Sequence, residues 1–502
     1  MNSRPTTREP RLRMRRVGGL CLLPAVLAAL SGCVVGPDFT RPAPSPTAGY
    51  SRSAITLPPA GSADVQQHLQ LGEQVVAQWW SLFESPQLND TLATAIAGSP
   101  TLDTARATLA EAQQAMVAAR GALYPQVALG AGASRTRAGT SGNTGSGHVV
   151  DTLFSIGPTV TYDADLFGGI RRQIEEQTAL AQFERYELAA AWLSLTGNAV
   201  MQAVNIASAR EQIDALKDVI SADLHDLELV QIEQEAGKAA TTDVLSAQSQ
   251  LAADRALMPP LEQQLSTADD ALTVLVGKTP AEWRPPKFGL DQFKLPVDLP
   301  VSVPSAMVHE RPDILAAEAQ LHAASAAIGV ATAQLYPDIT LSASWTQAAA
   351  NLGGVLDRSN GLWALTGGVS APLFHGGALE AQKQQAVDAY AAQLGTYRQT
   401  VLAAFGQVAD TLRALKHDAE ALDAQRNALD AARASLELSQ ESYRFGQSSF
   451  LQVLDAQRLF GQARLGYAKV RGQRYLDSAQ LFVAMGGGWR SLDDPAMNPA
   501  RQ

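Results

Sequence analysis

Cysteine is almost absent from this chain: 502 residues hold two, Cys21 and Cys33. That excludes a disulfide framework and metal sites of the C-x-x-C kind. The seven histidines are scattered. Neither His309 next to Glu310 nor His375 beside its glycines has a partner at ligand spacing. A Gly-rich phosphate loop, G-x-S-x-G and H-E-x-x-H are all missing. The expectation is a protein that is not an enzyme and carries no metal or cofactor beyond a covalent lipid. Surplus positive charge is missing too, with a formal net charge of -10. Six arginines against one glutamate fall in the leader, so the rest of the chain stands near -15, which argues against nucleic acid as a partner.

The most informative absence is that of helix breakers. Between Arg172 and Ala236 there is no proline and one glycine, Gly197; between Ala378 and Phe445 there is again no proline, with Gly395 and Gly406. At 1.5 Å per residue each stretch predicts a helix of roughly 100 Å. In the first, Ile206, Ala209, Ile213, Leu216, Ile220, Leu224 and Leu227 step by three and four. In the second, Leu415, Leu422, Leu429, Leu436 and Tyr443 step by seven. Seams this narrow belong to coiled-coil packing.

What is present begins with an export leader. Arg11, Arg13, Arg15 and Arg16 precede the apolar "LCLLPAVLAAL" from Leu20, which is too short to span a bilayer as a mature helix. It runs into "LSGC", Leu30 to Cys33, which resembles a bacterial lipobox. That resemblance implies a diacylated Cys33 as the first mature residue, and Val34 after it favours the outer membrane. Lipid anchors a chain without threading it through the membrane. The alternative is an ordinary signal peptide with an incidental cysteine.

The body of the chain is written twice. "SPTLDTARATLAEAQQAMVAARGALYPQ" from Ser99 matches "RPDILAAEAQLHAASAAIGVATAQLYPD" from Arg311 without a gap, and the Leu-Tyr-Pro triplets end at Pro125 and Pro337. "YDADLFGGIRRQ" from Tyr162 answers "SAPLFHGGALEAQ" from Ser370, and "GKAATTDVLSAQ" from Gly237 answers "GQSSFLQVLDAQ" from Gly446. Three landmarks in one order indicate a tandem duplication whose unit is far longer than a solenoid repeat. The organisation read from this is a leader over 1–32, an N-terminal segment with a first helix over 33–98, repeat 1 over 99–305, repeat 2 over 306–488 and a tail over 489–502. Trp79-Trp80 read as packing anchors near the start of the mature fold.

Each half has the same parts. A helix is stopped at Tyr-Pro. Val127, Leu129, Ala131 and Ala133 alternate, as do Phe154, Ile156, Val160 and Tyr162, with "AGTSGNTGSG" from Ala138 as the turn. In the second half Ile339, Leu341, Ala343 and Trp345 alternate, "NLGGVLDRSNG" turns, and a strand runs from about Leu362 to Ala371. These are hairpins of strands about ten residues long, the size of transmembrane barrel strands; hairpins on a soluble core are the alternative. A long helix follows each hairpin. Gly237 and Gly446 suit the left-handed position that ends a helix, with Thr241-Thr242-Asp243 and Ser448-Ser449 placed to cap the next. Pro259-Pro260 should break the first returning helix. Four strands per chain cannot close a barrel and open edges cannot sit in hydrocarbon, so membrane strands require oligomers: two copies make eight strands, three make twelve.

The lipobox with "GPDFTRP", then "QWWSLFESPQLNDTLATAI", the duplicated Tyr-Pro helices, "DADLFGGIRRQ" and "YRFGQSSFLQVLDAQRLF" together resemble the TolC-like outer-membrane efflux factors, in their lipoprotein branch of NodT/OprM type. The resemblance implies an α+β membrane protein: a homotrimer whose twelve strands, four per chain, form one transmembrane β-barrel continuous with a long α-helical coiled-coil periplasmic tunnel. It implies the exit duct of a tripartite efflux pump, passing small molecules from an inner-membrane RND-type transporter and a periplasmic adaptor. By motif match, Gly237, Lys238, Ala239, Gly446, Gln447 and Ser448 resemble adaptor-facing tips. Asp455 and Tyr443 match a carboxylate and tyrosine that hold the closed gate; Asp243 and Gln452 occupy equivalent positions beside them. Asp243 in a first helical turn is also favoured by the macrodipole alone, and Tyr443 also continues the leucine heptad. The competing readings are a lipid-anchored periplasmic scaffold without a pore and the duct of a type I protein secretion system.

Overall fold

The computed structural model describes residues 34–43, 49–51, 56–58, 65–76, 78–142 and 145–489; the leader, Cys33 and the last residues lie outside them. In chain order the elements are β1 (His68–Leu71), α1 (Pro86–Gly98), α2 (Pro100–Gly121), β2 (Gln126–Gly142), β3 (Gly145–Asp163), α3 (Gly169–Glu235), α4 (Thr241–Ala256), α5 (Met258–Leu275) and β4 (Asp298–Val301). There follow the one-turn α6 (Pro304–Met307), α7 (Pro312–Ala333), β5 (Asp338–Ala349), β6 (Gly361–Ser370), α8 (Ala378–Arg444) and α9 (Phe450–Ala484). The paired stretches of the sequence give paired elements. α2 and α7 have 22 residues each, and α3 and α8 have 67 each.

Two compact units result, each drawing on both halves of the chain. The first takes 34–39, 114–178 and 322–391 and is built around a sheet of order β2-β3-β5-β6. All three pairings are antiparallel, so β2 and β6 are its edges. Residues directly opposite each other share a face, and the apolar alternation lines up strand by strand. Val127 faces Val160, which faces Ala343, which faces Leu365. Tyr162 faces Leu341 and Trp345 faces Trp363. The other face carries Thr159, Thr161, Ser342, Ser344 and Thr366, small and hydroxylic.

The strands of the first hairpin correct the expected length. β2 has 17 residues and β3 has 19, against about ten. The Gly/Ser/Thr stretch read as a turn is paired as far as Gly142 opposite Gly145, because a ladder is held by backbone hydrogen bonds and needs no particular side chain. In the second hairpin the expected turn is two short 3-10 segments. Asn351 and Asp357 side chains accept from Gly354 N at 2.8 Å and Ser359 N at 3.0 Å.

The second unit takes the described residues of 40–113, 179–321 and 392–489. Trp79 and Trp80 are buried; Trp79 stacks on Phe482 at 5.3 Å and meets Phe83 edge-on at 6.4 Å. β1 lies parallel to β4, His68 opposite Asp298, tying the N-terminal segment to the linker between the halves. The heptad of α8 is realised: Leu415, Leu422, Leu429 and Leu436 are all buried. Where α9 crosses α3, a Cβ on Gly472 would lie 2.1 Å from Ser208 Oγ, so a side chain there would push the helices apart. The first return breaks as expected: α4 stops at Ala256, and α5 restarts with proline in its first turn.

The seam of α3 departs from its expected path. Leu216 is fully buried, but Leu224 is 42% exposed. Past Leu216 the buried positions are Val219, Asp223, Asp226 and Val230, one residue out of step with the leucine pattern. A straight helix of 3.6 residues per turn drifts against a fixed stripe, and here the drift carries two aspartates into the interface. Leu216→Ala is therefore expected to cost about 2–5 kcal/mol, and Leu224→Ala less than about 0.5 kcal/mol. Thermal unfolding of the two variants in detergent checks the difference.

Candidate functional site

The repeated glycines end α3 and α8 in the same way. Gly237 has φ 72° and Gly446 has φ 71°, a left-handed backbone that glycine adopts without cost. Gly237 N donates to Gln234 O at 2.9 Å and Lys238 N to Glu233 O at 2.7 Å; Gly446 N donates to Tyr443 O at 2.9 Å and Gln447 N to Ser442 O at 2.9 Å. Each is a complete Schellman turn, which satisfies the last carbonyls of its helix. Gly237, Lys238, Gly446 and Gln447 are exposed, with Ala239 and Ser448 half-buried.

The helix starts that follow differ from expectation and from each other. The N-cap of α4 is Ala240, one residue before the expected threonines, and Asp243 Oδ2 accepts from Ala240 N at 3.1 Å. An alanine cannot cap, so the carboxylate three residues on satisfies the N-cap amide instead. Thr241 instead accepts from Gln234 Nε2 at 3.0 Å. The N-cap of α9 is Ser449, without a side-chain bond to the helix; Ser448 Oγ donates to Ser439 O at 3.4 Å.

A link between the two hairpins lies behind these turns. Tyr443 Oη donates to Glu233 Oε2, and the Tyr443 ring tilts against Phe450 at 5.6 Å. Both pack on a cluster of Val230, Val244, Ala247 and Leu454. Burial first, then the Glu233 carboxylate, hold the Tyr443 phenol above its ordinary pKa, so it stays a donor. Glu233 was not singled out in the sequence, because the equivalent position of repeat 2 is Ser442 and no repeat marks it. Asp455 stands elsewhere, exposed on α9, taking a hydrogen bond from Arg458 Nη2 at 2.6 Å. It shares with Gln452, Ser448, Ser439 and Ser246 a groove of about 740 Å³. The four expected gate residues thus divide: Tyr443 and Asp243 beside the interhairpin cluster, Gln452 and Asp455 on the groove.

Two facing carboxyl pairs were illegible as well. Asp223 of α3 is buried and faces Asp254 of α4, with Asp226 and the Gln457 amide as neighbours. Asp418 of α8 faces Asp477 of α9, with Arg474 near. Burial, then the partner carboxyl, push Asp223 up to about 7 and Asp418 up to about 8. Two carboxyls that face each other across one site cannot both stay ionised at low cost, so one keeps a proton to donate to the other. Among the described residues no cluster of three or more His, Cys, Asp or Glu is placed to hold a metal ion.

Near the lipobox, Arg172 clamps the first described residues. Its guanidinium, almost fully buried, donates to Val35 O at 3.1 Å, Gly36 O at 3.3 Å and Asp38 Oδ1 at 2.8 Å. Phe39 stacks on His322 at 4.4 Å. The motif "GPDF" is thus a strap fixed to the sheet-bearing unit; Cys33 lies one residue outside the described part.

A carboxyl that binds its proton more tightly in the folded protein than in the unfolded chain, where its pKa is about 3.9, adds stability below that value. The contribution is lost as pH rises through the folded pKa. The wild type is therefore expected to lose thermal stability from about pH 4 through about 7 and about 8. Asp418→Asn, which keeps a permanent donor toward Asp477, is expected to flatten that slope and to melt higher than wild type at the alkaline end. Tm measured against pH checks both.

The profile of the Outer membrane efflux protein family matches the chain twice, over residues 91–278 and 303–487. The pyoverdine export outer membrane protein OpmQ of Pseudomonas aeruginosa is 30% identical over 474 residues, spanning 93% of this chain and 97% of the relative. Nodulation protein T of Rhizobium leguminosarum bv. viciae is 29% identical over 469 residues, 92% of each. Among solved structures, the outer-membrane channel OprN aligns with a TM-score of 0.84 at 27% identity, covering 91% of this chain and all of that one. The chain belongs to the outer membrane efflux protein family and serves in the outer membrane as an efflux duct.

Proposed function

We propose that three copies of this chain, each the product of a tandem duplication, pool twelve strands into one transmembrane barrel and their long helices into a periplasmic tunnel. The tunnel receives small molecules from an inner-membrane RND-type transporter through a periplasmic adaptor. The observation that carries this reading is the four-stranded sheet. Over 127–133, 154–162, 339–345 and 363–369 it has one apolar face and one face of small or hydroxylic residues, and among the described residues its two edges are unpaired. Apolar-out and polar-in is the pattern of a membrane barrel around a water-filled lumen, and a lipid-anchored scaffold would have no use for it. Small-molecule cargo is supported by relatives named for pyoverdine export and toluene efflux. Lipid on Cys33, held at the sheet-bearing unit by the Arg172 strap, would anchor each copy beside its strands.

In this reading the two Schellman turns are the adaptor-facing tips, and the Tyr443–Glu233 bond is a latch of the closed gate, with Asp243 as its neighbour. Asp455, repeated three times around an axis, would form an acidic ring that attracts cations, with Arg458 as its internal counter-charge and Gln452 lining the approach.

The two faces are separated by matched substitutions. Leu365→Arg on the apolar face is expected to cost about 2–4 kcal/mol at mid-membrane and to abolish heat-resistant membrane oligomers. Ser342→Arg on the other face is expected to leave assembly intact and to lower cation conductance. Equal damage from both would overturn the barrel. Tyr443→Phe removes a hydrogen bond to a charged acceptor worth about 1.5–3 kcal/mol. It is expected to move the closed–open balance about tenfold or more toward open, read as single-channel conductance in planar bilayers.

A further inference from the structure

One joint is present twice in the sequence and once within the chain. After β3, Phe167 stacks on Tyr336 with ring centroids 4.8 Å apart. Tyr336 is the tyrosine of the second Tyr-Pro, just ahead of β5. The backbone continues the contact: Ala164 N donates to Ile339 O at 2.8 Å, and β3 then pairs with β5, Asp163 opposite Thr340 and Tyr162 opposite Leu341. The second half owns the same parts. β6 is followed by Leu373-Phe374, and Tyr124-Pro125 stands just ahead of β2. In the single chain these side chains stand exposed. Leu373 is 95% exposed, Phe374 89% and Tyr124 68%, while β6 and β2 are the two outer strands of the sheet.

We propose that a second copy of this chain completes this joint: β6 pairs with β2 of the neighbouring copy in the register of β3 on β5, and Phe374 stacks on Tyr124 of the partner subunit. The proposal rests on the oligomeric barrel above and adds its seam. Superposing Leu166-Phe167 on Leu373-Phe374, and Tyr336-Pro337 on Tyr124-Pro125, places Ser370 opposite Ala128 and Val369 opposite Leu129.

The side-chain pattern supports this register independently. It sets Val369, Gly367 and Leu365 against Leu129, Ala131 and Ala133, so the apolar face runs on across the seam; Val369 and Leu129 are both exposed in the single chain. A slip of one residue would set each apolar residue against the small face. Because Ala164 and Ile339 form a hydrogen-bonded pair, their neighbours Asp163 and Thr340 form a narrow one, and Ser370 and Ala128 inherit that geometry. A Cα separation of about 4.5 Å suits a disulfide.

The test is oxidation of the full-length lipoprotein in its own membranes, carrying Ser370→Cys with Ala128→Cys. Both substitutions are small for small. The expected result is a covalent ladder ending at a trimer on non-reducing gels, with none from either single cysteine. Ser370→Cys with Gly132→Cys, on the same face but displaced along the strand, should not cross-link. Cross-linking of the displaced pair alone, or of neither pair in a protein that native mass spectrometry shows to be trimeric, would overturn the register while the oligomer stands. A monomer in native mass spectrometry would overturn the oligomer as well. Phe374→Ala and Tyr124→Ala are each expected to weaken subunit association about 2- to 10-fold, and the double variant no further. Additive losses would overturn the stacking, as expected of two aromatic rings that face lipid separately.

Discussion

The structure depends on the backbone groups at the two edges of its sheet. β2 and β6 each present a row of amides and carbonyls with no strand partner among the described residues. Each such group would cost several kcal/mol in hydrocarbon, so in the proposed barrel a single copy would be unfinished. The faces of the same strands agree with that constraint. Side chains that tolerate lipid line one side, and side chains that tolerate water and take little room line the other. A sheet serving a soluble core would turn its apolar face inward; here Leu129, Leu365 and Val369 stand exposed.

The two helical tips share one backbone geometry and differ in their side chains. Both turns keep the Schellman glycine and its two hydrogen bonds, since that geometry alone ends a long helix without leaving bare carbonyls. Around them the copies differ. Asp243 accepts from the N-cap amide at one turn, while the N-cap of the other makes no side-chain bond to its helix. The Tyr443–Glu233 bond exists once, because the residue matching Glu233 is Ser442. Matching backbone turns thus carry different side-chain bonds.

Much of the architecture was legible in the sequence because it is governed by periodicity and by breakers. The 67-residue helices, the proline break, the heptad through Leu415 to Leu436 and the alternation of Val127 to Ala133 all follow local rules. What was not legible depends on partners distant in sequence. Asp223 and Asp226 sit at positions that look solvated until α4 and α9 are laid over them. Glu233 means nothing without Tyr443 across the cluster, and Arg172 becomes a clamp only when residues 35–38 fold back on it. The paired length of the first hairpin was hidden for a different reason: glycine, serine and threonine read as turn but pair as strand.

The proposed duct requires this chain to form a water-filled, gated pore with its copies. Single-channel recording of the purified wild-type lipoprotein in planar bilayers tests it most directly. The account predicts discrete steps of small, cation-preferring conductance, as expected of a duct narrowed by an acidic ring. Folded protein that associates with the bilayer yet yields no steps at any concentration would contradict it.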